Sequence, residues 1–198
     1  MNITRRQIVQ VLGLSAATFS GVAARAQTST LKISHQFPGS AGNEGDFRDR
    51  LCRRFASELE KRSHGALKGQ VYPGSSLMKT NAQFSAIRKG ALDAGLVPLS
   101  YAGGEVVETN IGLMPALIPN YEVAARWKSS EAGRLLNKVL DDKGIVMLSW
   151  VWQAGGVASR QRALISPDDA KGLTVRGGSR EMDMMFKAAG ASVISLPS

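Results

Sequence analysis

The chain has 198 residues, 43% of them hydrophobic and 21% charged, with a formal charge of +9 from 25 Lys+Arg against 16 Asp+Glu. That is enough apolar matter for one large domain with a core, and it excludes fibrous and disordered classes. A single cysteine, Cys52, allows no internal disulfide, CxxC pair or thiolate zinc cage, and His35 and His64 lie too far apart for a metal-binding HExxH, so neither metal nor cofactor is expected.

The first 26 residues contain Arg5, Arg6 and Arg25 and no acid. Thr4-Arg5-Arg6-Gln7-Ile8-Val9 leads into an uncharged run over 11–24 rich in small residues, and Ala24-Arg25-Ala26 closes it. A positive end, a weakly apolar middle and a small-x-small exit read as a secretory signal, and the paired arginines as its twin-arginine type. Residues 1–26 are expected to be cleaved after Ala26, leaving a periplasmic product. The run 11–24 is shorter than the ~20 apolar residues of a spanning helix and carries Ser15, Thr18 and Ser20, so stable membrane insertion is not expected. Without this segment the chain stays moderately basic, with acids interleaved among the bases.

Leu31-Lys32-Ile33-Ser34 alternates apolar and polar and predicts a first strand. After a loop with Pro38, Gly39, Gly42 and Asn43, a helix is predicted with Phe47, Leu51, Phe55 and Leu59 on one apolar stripe at i, i+4 spacing. It ends near Gly65, where Lys61, Arg62 and His64 suit the negative end of a helix. Val71-Tyr72-Pro73 reads as a short edge strand and Pro73-Gly74 as a turn. A second helix is predicted over 80–89, with Phe84 and Ile87 inward and Gly90 closing it, and a strand over 94–97. Residues 120–143 read as helices carrying Val123, Trp127, Leu135, Leu136, Val139 and Leu140.

Residues 145–152 are long, apolar and β-prone and predict a strand, as does Ala163-Leu164-Ile165. Ser166-Pro167-Asp168-Asp169 is a helix start, with an N-cap oxygen, proline at the first helical position and acids near the positive end. That helix must be short, because Gly172 follows. A strand over 173–176, a helix over 179–189 closed by Gly190 and a strand over 193–196 complete the chain. Strands alternating with helices in this way predict an α/β fold with largely parallel sheets. The pattern stops just after a strand and reads as cut short.

A set of landmarks in order carries a family resemblance. They are Leu31-Lys32-Ile33-Ser34-His35, the segment from Phe55-Ala56-Ser57-Glu58-Leu59 to Ser63-His64-Gly65, and Val71-Tyr72-Pro73-Gly74-Ser75-Ser76-Leu77. Ile87-Arg88-Lys89-Gly90-Ala91-Leu92-Asp93-Ala94 and Gly144-Ile145 through Leu148-Ser149-Trp150 follow. Ser166-Pro167-Asp168-Asp169-Ala170-Lys171-Gly172-Leu173-Thr174-Val175-Arg176 is the most specific. Together they resemble the periplasmic solute-binding subunit of tripartite ATP-independent periplasmic (TRAP) transporters, the C4-dicarboxylate-binding, DctP-like family.

The resemblance implies a periplasmic-binding-protein-like fold of two α/β lobes, the second only partly present. Residues 27–150 would form the first lobe, incomplete without a C-terminal part, and 151–198 the crossing strand and the start of the second. It implies a binding protein, not an enzyme, that captures a small organic acid and delivers it to the transporter's membrane subunits. Two alternatives stand beside it: a truncated remnant that binds nothing, and a periplasmic enzyme exported by the twin-arginine route. Against the enzyme, no GxSxG, GxGxxG or CxxCH occurs.

Arg176 is the leading site residue. It falls at the predicted carboxyl end of a strand, where open α/β sheets place ligands. Gly177-Gly178 allows close backbone approach, and Ser179 begins a helix whose free N–H groups favour an anion. An arginine's parallel donors match a carboxylate, and the resemblance puts the family's carboxylate clamp at this position. Some family members carry a second arginine in the strand before the Ser-Pro-Asp helix. Here residues 154–159 hold none and Arg160 and Arg162 are displaced, so a sialic-acid-type site is not expected. Gln36, Tyr101 and Gln153 are further candidate liners. Cys52, His35, Trp150, Trp152 and the methionines 182, 184 and 185 read as structural. The cluster Arg48, Arg50, Arg53 and Arg54, offset by Glu44, Asp46 and Asp49, reads as a solvated face, so nucleic-acid binding is not expected.

Overall fold

The computed structural model describes residues 28–42, 44–160 and 162–196; the candidate signal with Arg5, Arg6 and Ala26 lies outside the described residues. Strand β1 (Ser29–His35) is central in a parallel three-stranded sheet of order β2-β1-β3, with β2 (Leu67–Tyr72) and β3 (Ala94–Leu96) as its neighbours. Ile33 sits opposite Val71 on one side and Ala94 on the other. Burial rises along β1 until Ile33, Ser34 and His35 are enclosed. Helix α1 (Phe47–Arg62) makes the crossover to β2, and α2 (Gln83–Arg88) the crossover to β3. Asp46 caps α1 by accepting from the Arg48 N–H at 2.9 Å. At its other end His64 and Gly65, both at positive φ, turn the chain toward β2.

The face that α1 packs differs from its apolar stripe. Asp49, Cys52 and Ala56 are buried, the last two against Ile33, whereas Phe47, Leu51 and Phe55 stay exposed. Two anchors set this rotation. Gly69 on β2 lets the helix come so close that a Cβ there would lie 2.6 Å from Ala56 Cβ. Two turns earlier, Asp49 is fully buried and held by His35, Ser40 and Arg53. A helix drawn in through small and hydrogen-bonded residues leaves its larger side chains on the flank.

Helices α3 (Tyr121–Arg126) and α4 (Glu131–Asp141) are capped by Asn120 and Ser130, whose side chains accept from the Val123 and Gly133 N–H groups. They close the main core of Phe84, Val106, Trp127, Leu136, Leu140 and Ile145. Trp150 and Trp152 stack at 5.7 Å and meet Trp127 edge-on at 6.1 and 5.7 Å. Such aromatic pairs contribute about 0.5–1.5 kcal/mol each beyond burial, so both tryptophans are core residues, as expected.

Residues 145–152 and 163–165 are not strands. Among the described residues no neighbouring strand pairs with either run, and a strand is defined by its ladder partners. Val146, Leu148 and Ile165 are accordingly 73%, 69% and 90% exposed. The Ile165 N–H bonds the Asp169 carboxylate at 3.1 Å instead of a ladder.

The expected helix start is a single 3-10 turn, Pro167–Ala170. Here Asp169 reaches back to accept from the Ser166 N–H and Oγ–H at 2.8 and 2.9 Å. Strands β4 (Thr174–Gly177) and β5 (Ser192–Ser195) then pair in parallel, Arg176 opposite Ile194. Helix α5 (Arg180–Ala188) crosses between them and buries Phe186 against Ala170 and Ala191. Its N-cap is Ser179, which accepts from the Met182 N–H at 3.2 Å. Met182 packs on this small core while Met184 and Met185 stay exposed. Two parallel sheets with crossover helices thus make up an α/β fold.

Candidate functional site

A cavity of about 1350 Å³ lies between the loop 112–121, the irregular segment 152–160 with Arg162, and the carboxyl end of β4 with α5. Its described lining includes Arg160, Arg162 and Arg176 and no acidic side chain. Guanidinium groups in a concave wall without compensating carboxylates focus positive potential, so the cavity suits an anion. Leu113, Trp152 and Phe186 supply apolar wall. The volume exceeds the ~300–1,000 Å³ usual for a small-ligand site, as in a cleft whose sides stand apart.

Arg176 is on the cleft wall where β4 ends. Its Nε donates to the Leu196 carbonyl at 2.8 Å and its Nη2 to the Tyr101 hydroxyl at 2.9 Å. Arg176 and Tyr101, 75 residues apart, are therefore brought together; Tyr101 stands in the 3-10 turn Leu99–Ala102 and is not itself part of the lining. Two further bonds tie the same turns: Ser100 Oγ donates to the Gly178 carbonyl at 3.0 Å, and the buried Ser179 Oγ to that of Leu113 at 3.4 Å. The glycine pair has a local steric cause as well. A Cβ at Gly177 would collide with the Asp183 carboxylate on the first turn of α5, and one at Gly178 would lie 2.9 Å from Leu113 Cδ2.

Gln153 also lines the cleft, and its Oε1 accepts from Arg48 Nη1 at 3.2 Å. Beside it, the Ala154 N–H donates to the Tyr121 hydroxyl at 3.1 Å. Arg48 is not a solvated residue as its cluster suggested. Its guanidinium lies 3.7 Å from the centroid of the Phe37 ring, and it pairs with Asp46 at 2.6 Å. Those hydrogen bonds hold the Asp46 carboxyl down at about 2. Arg53 likewise departs from the solvated-face reading, pairing with buried Asp49 at 2.7 Å. The Arg48–Gln153 link was missed from sequence; its one local signal is an arginine two residues after an acid and flanked by Phe37 and Phe47. Gln36, half-buried after β1, lies outside the lining.

Other chemistry-bearing groups belong to the core. His35 Nε2 donates to Asp49 Oδ1 at 3.0 Å with both side chains fully buried. Burial pushes the His35 pKa below its usual value, against the opposing pull of Asp49. Burial pushes Asp49 upward, but hydrogen bonds from Arg53 and the Ser40 N–H outweigh it and the carboxyl is lowered. Burial raises the Cys52 thiol to about 11, which leaves it inert at neutral pH. Among the described residues no three metal-ligating side chains converge, and no helix is long and apolar enough to cross a membrane.

Parallel sheets with crossover helices beside an arginine-lined cleft make an α/β architecture, and its likeness to solved structures is to periplasmic solute-binding proteins. The chain belongs to the DctP family, bacterial extracellular solute-binding protein family 7, whose profile matches residues 43–198. It is 65% identical over 195 residues to a solute-binding protein of Albidiferax ferrireducens, covering 98% of this chain and 58% of that one. It is 29% identical to the C4-dicarboxylate-binding periplasmic protein DctP of Rhodobacter capsulatus, over 96% and 56%. Its fold matches, at a TM-score of 0.81 and 67% identity, the crystal structure of a TRAP periplasmic solute-binding protein from Rhodoferax ferrireducens with bound malonate, over 84% of this chain and 53% of that one. The chain thus spans little more than half the length of the relatives it matches.

Proposed function

We propose that the protein is an extracytoplasmic receptor of a TRAP-type transporter that captures a small organic acid through Arg176 and hands it to membrane subunits, with no reaction catalysed. The observation that carries this reading is the position of Arg176 on a cleft wall whose described lining holds no acid, hydrogen-bonded among the described residues only to a carbonyl and a hydroxyl. Its charge is therefore left for a ligand. The malonate held by the 67% identical relative supports a small dicarboxylate as the ligand class. Residues 1–26 would direct export to the periplasm and be removed after Ala26.

The physical sequence follows from the cleft. Positive potential draws the anion in, and the guanidinium then makes parallel charge-assisted hydrogen bonds to one carboxylate. In the proposed division, residues 27–150 supply one wall and 151–198 the other, and their approach would bury the solute. Closure requires that the ligand make contacts in the closed form that it lacks in the open one. Gln153 and Tyr101 stand where such contacts or their support would arise.

Isothermal titration with malonate, succinate and the uncharged malonamide tests the reading. Saturable binding of a dicarboxylate, none of malonamide, and recovery of the acid unchanged are expected. Equal binding of malonamide would contradict a carboxylate clamp, and conversion of the acid would favour an enzyme. The short span relative to the relatives favours one second reading, a chain that binds nothing alone, which predicts no heat with any of the three compounds.

A further inference from the structure

We propose that Tyr101 is a positioning residue: with the Leu196 carbonyl it fixes the Arg176 guanidinium so that one edge, Nη1–H with the second Nη2–H, is presented to a ligand carboxylate. The proposal rests on the carboxylate-capture reading above and adds a direction of approach and a residue that enforces it.

A guanidinium carries five N–H donors in one plane. Two edges of that plane offer parallel pairs to a carboxylate. The side edge is Nε–H with the nearer Nη2–H, and the end edge is Nη1–H with the farther Nη2–H. In Arg176 the side edge is used within the protein, Nε by the Leu196 carbonyl at 2.8 Å and Nη2 by the Tyr101 hydroxyl at 2.9 Å. The donors left over are those of the end edge. Nη1 has no hydrogen-bond partner among the described residues, and beside it stands Gly178, whose absent Cβ would be 3.8 Å away. Among the described residues the end edge is thus unengaged, and Gly178 sets no side chain beside it.

The kind of anchor matters as much as its place. An acidic partner would compete with the ligand for the cation, whereas a hydroxyl and a carbonyl orient the plane and leave its charge whole. The three groups come from the turn after β3, the end of β4 and the residue after β5, so the plane is fixed by elements remote in sequence. Ser100, next to Tyr101, bonds the Gly178 carbonyl and holds the same turn against the strand that bears Arg176. Tyr101 itself does not line the cleft, so its hydroxyl acts through the guanidinium. Holding a rotamer-rich side chain in its bound orientation beforehand removes part of the ordering cost of binding.

Tyr101→Phe deletes one oxygen and tests this in the protein that binds. Malonate is expected to bind about tenfold more weakly, with the unfolding midpoint unchanged. In an Arg176→Lys background, which has no fork to orient, adding Tyr101→Phe is expected to cost nothing further. A loss that persists in that background would mean the hydroxyl touches the ligand, and an unweakened Tyr101→Phe would mean it does nothing; either overturns the proposal. A second readout needs no ligand. In nitrogen-15 spectra of the free protein, the Arg176 Nη groups are expected to be resolved and slow to rotate, and to become averaged in Tyr101→Phe. Averaged Nη signals already in the parent would refute the anchoring. Resolved signals with no malonate binding by the parent would instead uphold the anchoring and refute the carboxylate-capture reading, so the two failures are distinguishable.

Discussion

The three-stranded sheet and the segment 145–165 are built from similar apolar side chains and end in opposite conditions. In the sheet Ile33 is flanked by Val71 and Ala94 and roofed by Cys52 and Ala56, and the backbone is regular throughout β1. In the segment Val146, Leu148 and Ile165 face outward and the backbone has no ladder. Ile145, Met147, Trp150 and Trp152 alone of its described apolar residues reach the core around Trp127, and the tryptophans do so by packing on its ring. Order follows partners in this molecule, and residue type decides only what a partner would gain. The cleft uses both conditions: the sheet unit supports the turn bearing Tyr101, and the irregular segment contributes Gln153 and Arg160 to the wall.

The comparison breaks most visibly at Asp49, the polar anchor of the ordered side. Asp49→Ala leaves buried His35 and the Ser40 N–H without their acceptor. Leaving a buried donor unsatisfied typically costs about 1–3 kcal/mol, and with two donors orphaned urea unfolding is expected to show a loss at or above the upper end of that range. A loss below about 1 kcal/mol would mean that α1 is oriented by something else. Gly69→Ala sharpens the same point by steric means. Its Cβ would press on Ala56, and overpacking of this kind costs about 1–3 kcal/mol. An unchanged unfolding midpoint would show that the helix can lift off the sheet freely.

Acidification is expected to act next. Burial holds the folded-state pKa of His35 below the usual 6.5, so the imidazole stays neutral in the fold while the unfolded chain takes up a proton. Its contribution is therefore full above pH ~6.5 and is lost as pH falls from there through the folded value. Asp46, lowered to about 2 from 3.8, adds a second loss as pH falls through that lower window. Proton NMR of the His35 ring should give a midpoint below 6.5, alongside urea midpoints that decline on acidification. A ring that titrates above 6.5 would contradict the buried, neutral assignment. The smallest effect belongs to the irregular side. Val146→Thr and Ile165→Thr in this chain should change stability by no more than ~0.5 kcal/mol, as surface substitutions do. A cost above 1 kcal/mol at either would mean that the segment finds a strand partner in solution.

What could be read beforehand was what is local. The alternation around Ile33, the inward Phe84, the apolar positions from Val123 to Leu140 and the helix start at Ser179 all act over a few residues, and each element they imply is present. The rotation of α1 was hidden because apolar spacing carries no trace of a buried aspartate or of a glycine one strand away. The irregularity of 145–152 was hidden because its β-propensity says nothing about whether a neighbour exists. At the cleft, what was legible is the placement of Arg176 at the carboxyl end of a strand, before two glycines and a helix start. Its link to Tyr101 spans 75 residues and that of Arg48 to Gln153 spans 105, distances over which no local pattern reports.

The most direct test of the account is a calorimetric titration of malonate into the parent, Arg176→Ala and Arg180→Ala. Arg176 is exposed in the open cleft, and once closure buries its pair with the ligand carboxylate, truncating one partner costs ~2–5 kcal/mol, which at ~1.4 kcal/mol per decade is roughly 30-fold to several-thousand-fold in affinity. Arg176→Ala is expected to fall in that range. Arg180, exposed on the first turn of α5 and not part of the cleft lining, should tolerate alanine with little change. Malonate binding by Arg176→Ala within about threefold of the parent, a difference of only ~0.7 kcal/mol, would contradict the claim that this arginine carries the ligand's charge.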